Sequence, residues 1–413
     1  MFRNRSPEII CLFISLLLPR PSALTFAKKA IPSYNAKERT KTGIEVLEQQ
    51  GFAPLRGNRV GLITNQTGVD FEGRRTIDVL AHARGVKLVA IFSPEHGILG
   101  QADAGIGDST DAATSVRIYS LFGQTRRPTA EMLRNVDALV FDIQDAGVRF
   151  YTYITTMAYC MEEAAKLRIP FYVLDRPDPL GGEVIEGPML DAERTSFVGY
   201  FPMPVRYAMT LGELAKMFNA ENKLGADLHV VAMKGWRRSE TYDQTGLQWV
   251  PPSPNLRNLQ AALLYPGIEI LQAGGVSVGR GTGAPFEIFG APWMHADELT
   301  LALNRANIPG VRFAPAEFTP VSDLYTGQSC QGATIDITDP KALDPIRMGI
   351  EIAEVLQRLY PERFQTEKMI ELVGSKSTIE RLKSGDAPAR IVSGWSGEID
   401  QFRRTREKYL LYH

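Results

Sequence analysis

Cysteine is scarce in this chain. Only Cys11, Cys160 and Cys330 occur among 413 residues, and isolated thiols make neither a disulfide framework nor a zinc site. Histidine is equally thin: the five residues stand at 82, 96, 229, 295 and 413, none paired at the spacing that metal ligands need. No metal and no cofactor are therefore expected. An excess of either charge is missing too, since 46 Lys and Arg face 47 Asp and Glu. A phosphate backbone requires clustered cations, so nucleic acid is not an expected partner. After the N-terminus no run is apolar enough to cross a bilayer, and there is no internal repeat or low-complexity tract.

The N-terminus reads as a secretory signal over residues 1–27. Arg3 and Arg5 supply the positive start, Ile9–Leu18 the apolar run, and Thr25-Phe26-Ala27 the small residues of a cleavage site. Cys11 sits at the start of that run, away from a lipoprotein acceptor position. Residues 28–41 are polar and basic and read as a linker. The expected mature chain is exported, secreted or periplasmic, with no membrane attachment.

The chain is organised around Leu88–Gly97. An unbroken apolar run, Leu88–Phe92, suits a strand buried on both faces of a parallel sheet. Pro94 ends it, because proline cannot donate to a ladder, and Glu95 and His96 stand directly beyond. Further strands are expected at Arg59–Thr64, Ala138–Ile143, Pro170–Leu174 and Leu228–Met233. Helices are expected at Thr76–Arg84, Thr129–Arg134 and Tyr153–Leu167. Capping boxes at Thr42/Glu45 and Thr210/Glu213 open two more, and Asp344-Pro345 starts another running to Leu359. Ser396 is expected to cap a final helix. Residues 100–114, rich in Gly and Asp, read as a loop.

Alternating strands and helices predict an α/β fold with a parallel sheet and crossover helices. The boundary between a first domain, 42–225, and a second α/β domain, 226–413, falls near residue 225. Four strands hand over to polar clusters: Asn65-Gln66, Glu95-His96, Gln144-Asp145 and Asp175-Arg176. In such sheets ligands gather beyond the carboxyl ends of the strands, so the four clusters define a cleft with Glu95 as its catalytic carboxylate. Asp142, Asp145, Asp175, Glu186 and Glu287 are further carboxylates near that rim. Gly275-Val276-Ser277-Val278-Gly279 fits the nucleophile elbow of serine esterases, but Arg280-Gly281-Thr282-Gly283 is not a helix start. A glycine-rich binding loop with Arg280 facing an anion is the better expectation.

Several long stretches are recognisable together. They are Gly61–Gly68, Ser93–Gly97, Phe141–Asp145, Gly147–Tyr153, Asp175–Pro177, Pro252–Asn255, Gly279–Thr282 and Phe289–Trp293. In residues and in order the chain resembles the exo-β-N-acetylmuramidase (NamZ-like) family. The resemblance implies a Rossmann-like domain, a second α/β domain packed on it, and a cleft between them. It implies an exo-glycosidase that releases terminal N-acetylmuramic acid from peptidoglycan fragments, with Glu95 as the catalytic glutamate.

A carboxylic acid must protonate the departing glycosidic oxygen, and Glu95 is expected in that role, with His96 orienting it or touching the sugar. Asp142, Asp145 or Asp175 is expected to supply the second carboxylate of glycoside hydrolysis. Asn65, Gln66, Gln144, Tyr151 and Asn255 are expected to hydrogen-bond the sugar. Arg149, Arg176 or Arg280 would pair its lactyl carboxylate. The chain departs from the family pattern at Gln272–Gly275, at Val278 and at Tyr207-Ala208, cleft loops that bear on which sugar is bound and whether it is cleaved. A non-catalytic carbohydrate-binding protein is the alternative with the same cleft.

Overall fold

The computed structural model describes residues 39–101 and 107–413. The signal expected over 1–27, most of the linker and part of the 100–114 loop lie outside the described residues.

Strands β1 (Arg59–Thr64), β2 (Lys87–Ser93), β3 (Ser109–Thr110), β4 (Arg117–Ser120), β5 (Ala138–Asp142) and β6 (Phe171–Leu174) lie in one sheet. A hairpin of β7 (Glu186–Met189) and β8 (Pro204–Arg206) stands apart, and β9 (Leu228–Val231) returns to close the sheet. The order is β3-β4-β2-β1-β5-β6-β9. All neighbours run parallel except the short β3 against β4. Counting only the parallel strands, the order is 3-2-1-4-5-6. That is the doubly wound arrangement, whose direction reverses between its first and fourth strands, here β1 and β5.

The missing polar alternation has a direct cause. Along β5, Ala138 and Val140 enter a core with Val60, Leu62 and Ile91, while Leu139 and Phe141 enter another with Ile63 and Phe92. Successive side chains point to opposite faces, and here both faces are covered. α1 (Gly43–Gln49) and α2 (Thr76–Ala81) cover the first face with Ile44, Leu47, Ile77 and Leu80. α3 (Ala130–Leu133), α4 (Tyr153–Leu167) and α5 (Leu211–Glu221) contribute to the second. The predicted capping boxes form: the Thr42 amide donates to Glu45 Oε2 at 3.0 Å and the Thr210 amide to Glu213 Oε2 at 3.0 Å.

The second half adds α6 (Leu259–Gln272) and a three-stranded antiparallel sheet. In it β12 (Cys330–Ile337) lies between β10 (Ile288–Ala291) and β11 (Val311–Phe318). α7 (Ala296–Ala306) and α8 (Pro345–Leu359) pack with them, and short helices run from Ile370 to Arg406. Helices α6 and α8 cross in backbone contact: a Cβ on Gly267 would sit 1.8 Å from the Pro345 carbonyl oxygen, so no larger residue fits there. The last helix begins at Ser396 with Trp395 in the capping position. Among the described residues no helix is long and apolar enough to cross a membrane.

Residue 225 lies between α5 and β9. Because β9 still pairs with β6, the sheet is completed only after that point. The chain then crosses the carboxyl rim as an irregular strap before α6 begins at Leu259.

Candidate active site

Parallel strands bring their carboxyl ends to one rim, so the loops after β1, β2, β5 and β6 meet there. Glu95 sits in a tight turn after β2. His96 and Gly97 both adopt left-handed backbone, φ 67° and 71°, and the Gly97 amide closes the turn on the Pro94 carbonyl at 3.0 Å. The Glu95 side chain is half-buried, as is His96. Its Oε2 accepts a 2.5 Å hydrogen bond from Thr152 Oγ1. Tyr153 OH lies 3.5 Å from the Glu95 carbonyl and donates to the Pro252 carbonyl at 2.6 Å.

Three tyrosines wall this corner. The Tyr151 ring meets Tyr153 edge-on at 4.8 Å and Tyr265 of α6 at 5.9 Å. Burial raises all three hydroxyl pKa values above the ordinary range. The charge of Glu95 adds to the effect at Tyr153 and Tyr265, and that of Asp145 acts on all three. Both carboxylates therefore stand close to the same rings. The Tyr151 hydroxyl and Asn65 Nδ2 are buried and make no well-formed hydrogen bond, with Ser253 and Tyr153 as their nearest polar neighbours.

Asp145 is 5% exposed. Its Oδ2 accepts from the Gly147 amide at 2.9 Å and from the Tyr207 hydroxyl, while Oδ1 is buried with no partner. Burial pushes its carboxyl up to about 6, against the opposing pull of those donors. Gly147 has φ 76°, and a Cβ there would come within 2.4 Å of Asp178 Oδ1. The turn that presents Asp145 thus requires glycine.

The strap closes over the rim. Gln66 Nε2 donates to the Pro251 and Pro252 carbonyls at 2.8 and 3.2 Å. Ser253 and Asn255 are buried in the turn that follows. Gln144 Nε2 donates to the Asp145 and Pro177 carbonyls at 2.9 and 2.8 Å, leaving its Oε1 without a partner. Gln66, Gln144, Arg176 and Tyr242 line a cavity of about 200 Å³ at the reversal between β1 and β5. A larger cavity, about 950 Å³, lies along α1 and α2 between Arg74, Arg75, Asp78 and His82. None of the clusters beyond the strands lines it, so volume does not mark the site here.

Several expected site residues do other work. Asp142 is fully buried: Arg176 Nε and Nη2 hold its two oxygens at 2.6 and 3.0 Å, and Thr76 Oγ1 adds 2.5 Å. Asp142 has no oxygen left to act as second carboxylate, because Arg176 and Thr76 satisfy both; Arg176 is tied to it through Nε and Nη2 and also lines the cavity above. Asp175 is likewise consumed. Its oxygens accept from Thr210 Oγ1, the Gly212 amide and Tyr412 OH at 2.7, 2.8 and 2.6 Å, which pins α5 and the C-terminus to the sheet. Burial still raises its carboxyl to about 6.

Arg149 is 0% exposed and donates to the carbonyls of Pro188, Met203, Leu372 and Val373 at 2.7–3.0 Å. It is a structural clamp, not a ligand for a lactyl group. Arg280 is paired with Glu269 at 2.6 Å and Gln272 at 2.9 Å. Ser277 forms a buried β-bridge with Gly290, with no helix after it, so the elbow geometry is absent.

Sequence reasoning missed Thr152, Tyr153 and Tyr265, and marked Tyr207 only as a departure from the family pattern. The first two carried a signal, since Tyr151-Thr152-Tyr153 opens a helix just past the carboxyl end of β5. Tyr265 carried none, because it comes from mid-helix in the other half.

Comparison with known proteins follows this geometry. Residues 60–260 match the family model described as "Exo-beta-N-acetylmuramidase NamZ, N-terminal", and residues 263–412 match its C-terminal counterpart. The chain belongs to the NamZ family. It is 43% identical over 381 residues to the peptidoglycan beta-N-acetylmuramidase NamZ of Bacillus subtilis (strain 168), covering 91% of this chain and 92% of that one. Two crystal structures of DUF1343 family proteins from Bacteroides fragilis NCTC 9343 are also similar. One has TM-score 0.84 and 42% identity, covering 91% of this chain and 100% of its own. The other has TM-score 0.74 and 30% identity, covering 91% and 99%. The two NamZ models meet just after the strap, where α6 begins.

Proposed function

We propose that this chain is an exo-acting glycoside hydrolase that releases terminal N-acetylmuramic acid from peptidoglycan fragments. The observation that carries the reading is Glu95, held by Thr152 where the loops after β1, β2 and β5 converge, in a chain of the NamZ family. Glu95 is the general acid. As the bond from the anomeric carbon to the glycosidic oxygen breaks, its electron pair leaves on oxygen and takes the Glu95 proton. Asp145 is the second carboxylate and the base: it takes a proton from the water whose oxygen bonds to the anomeric carbon, so the sugar leaves with that hydroxyl. Of the three candidates it alone keeps a free oxygen, and it acts on the same tyrosines as Glu95. Asn65 Nδ2 and the Tyr151 hydroxyl, neither in a well-formed hydrogen bond, are the groups offered to the sugar. The N-terminal segment 1–27 directs export, which puts the enzyme where cell-wall fragments occur.

The test is turnover of a chromogenic β-N-acetylmuramide beside the matching glucosaminide. The muramide is expected to be cleaved, and Glu95→Gln is expected to lose roughly 10²–10⁴-fold in kcat, the usual worth of a general acid. Cleavage of neither sugar, or sugar binding without turnover, would overturn the reading.

A further inference from the structure

Thr152 stands in the capping position of α4, a 15-residue helix, yet its hydroxyl makes no cap bond. Threonine is among the favoured capping residues. Its backbone is helical, φ −72° and ψ −10°, rather than the extended form that turns a capping oxygen onto the helix amides. The hydroxyl goes instead to Glu95 Oε2, 57 residues away in sequence, at 2.5 Å. A residue suited to stabilising the helix is thus spent on the carboxylate at the rim.

We infer that Thr152 is a positioning residue that decides which oxygen of Glu95 delivers the proton. The inference rests on the acid role proposed above for Glu95. A hydroxyl donates only to an oxygen that carries no hydrogen along that direction. With Thr152 donating to Oε2, the proton of the acid form sits on Oε1. When Oε1 gives that proton to the glycosidic oxygen, the charge left behind spreads over both oxygens, and Oε2 already has its donor. Thr152 therefore fixes the side chain before the reaction and stabilises the carboxylate formed during it. A donor held in place for a developing charge needs no reorganisation at that moment.

The alternative is that Thr152 merely satisfies a half-buried carboxylate. Three measurements separate the two. The first is kcat/KM of Thr152→Val and Thr152→Ser on two substrates, a muramic-acid disaccharide and a 2,4-dinitrophenyl muramide. A sugar alkoxide is a poor leaving group and needs the proton; dinitrophenolate does not. Hydrogen bonds to charged groups are worth about 1.5–3 kcal/mol, so Thr152→Val is expected to lose roughly 10- to 100-fold on the disaccharide. The loss on the dinitrophenyl substrate is expected to be at least several-fold smaller, and Thr152→Ser is expected to restore most of the rate. The second is thermal unfolding, where Thr152→Val is expected to unfold cooperatively a few degrees below the parent at most, since it loses the one bond to Glu95 and no cap bond; a protein that no longer unfolds cooperatively would overturn the positioning reading.

The third is infrared difference spectroscopy, protein minus its Glu95→Gln form, which isolates the Glu95 band, a carboxyl C=O stretch in the acid form and a carboxylate stretch in the ionised one. Thr152→Val should move that band whether or not any substrate turns over. An unmoved band, an equal loss on both substrates, no loss on the disaccharide, or failure of Ser to rescue would each overturn the assignment. A parent that cleaves neither substrate would overturn the proposed function itself, and the delivery role with it.

Discussion

Asp142 and Asp145 lie three residues apart and read alike in sequence, yet their surroundings demand opposite responses to the same substitution. Asp142→Asn removes a charge from a fully buried pair and leaves the Arg176 guanidinium without its counter-ion. Breaking a buried pair from one side costs about 3–5 kcal/mol. With an unfolding entropy of about 2.1 cal/mol/K per residue, a chain of this length loses roughly 5 °C in Tm. The site itself is barely touched, so kcat on a chromogenic muramide, measured well below the transition, should stay within about threefold of the parent, far from the roughly 10²-fold that loss of an acid–base group costs. Asp145→Asn reverses the pattern. The amide oxygen still accepts from Gly147 and Tyr207, and a carboxyl that burial already penalises is gone, so Tm should hold or rise. Turnover should fall by roughly 10²-fold or more, because the amide is no base. Paired calorimetry and single-substrate kinetics decide the matter. An Asp142→Asn protein that keeps its Tm and loses turnover would refute the assignment of roles.

Three further outcomes follow from the same geometry. Burial holds Asp145 and Asp175 near 6 and Asp178 and Glu186 near 7. These folded values lie above the unfolded ones, so their contribution to stability is full below about pH 4 and fades as pH rises through 6–7. Tm should therefore fall between about pH 4 and 7 and level off above it, and Asp178→Asn should flatten that slope; a Tm that climbs across the window would contradict it. Asp137, held near 2 by Arg59, affects only more acid solutions. Gln66→Ala frees the strap by removing two donors of about 1 kcal/mol each, so KM should rise roughly fivefold or more while Tm shifts little. Arg149→Met removes the donor to the Pro188, Leu372 and Val373 carbonyls, while that of Met203 keeps the Leu190 amide, and limited proteolysis should then cut first near Leu372 and Val373, ahead of the central sheet.

How much of this was legible in the sequence depended on whether a contact is local. The strands Arg59–Thr64 and Ala138–Asp142 and the helix Tyr153–Leu167 are written in runs and periods a few residues long, and they formed within a residue of expectation. The rim was legible for the same reason: parallel strands must end on one side, and each ended in a polar cluster. What stayed hidden was β4, whose four residues alternate too briefly to read, β11, where Pro315 interrupts the pattern, and β10 and β12, where glycine does. Glycine is needed there because the backbones approach closely: a Cβ on Gly332 would meet the Phe289 carbonyl oxygen at 1.9 Å.

The charged residues of the rim show the limit more sharply. Asp142, Asp145, Asp175, Arg149 and Arg176 are all charged and all fall at or within seven residues of a strand end, so spacing does not separate them. Their roles separate only when partners are counted, and those partners come from positions 34 to 237 residues away: Arg176 for Asp142, Tyr412 for Asp175, Val373 for Arg149. A carboxylate whose every oxygen is satisfied by the fold has nothing left to offer a substrate. Asp145 Oδ1 and the half-buried Glu95 are what remain after that subtraction, which is why the chemistry is assigned to them. The same reasoning makes the poorly bonded donors of Tyr151 and Asn65 informative. A buried donor without a well-formed hydrogen bond costs up to about 3 kcal/mol, and a ligand that supplies better acceptors recovers that cost on binding.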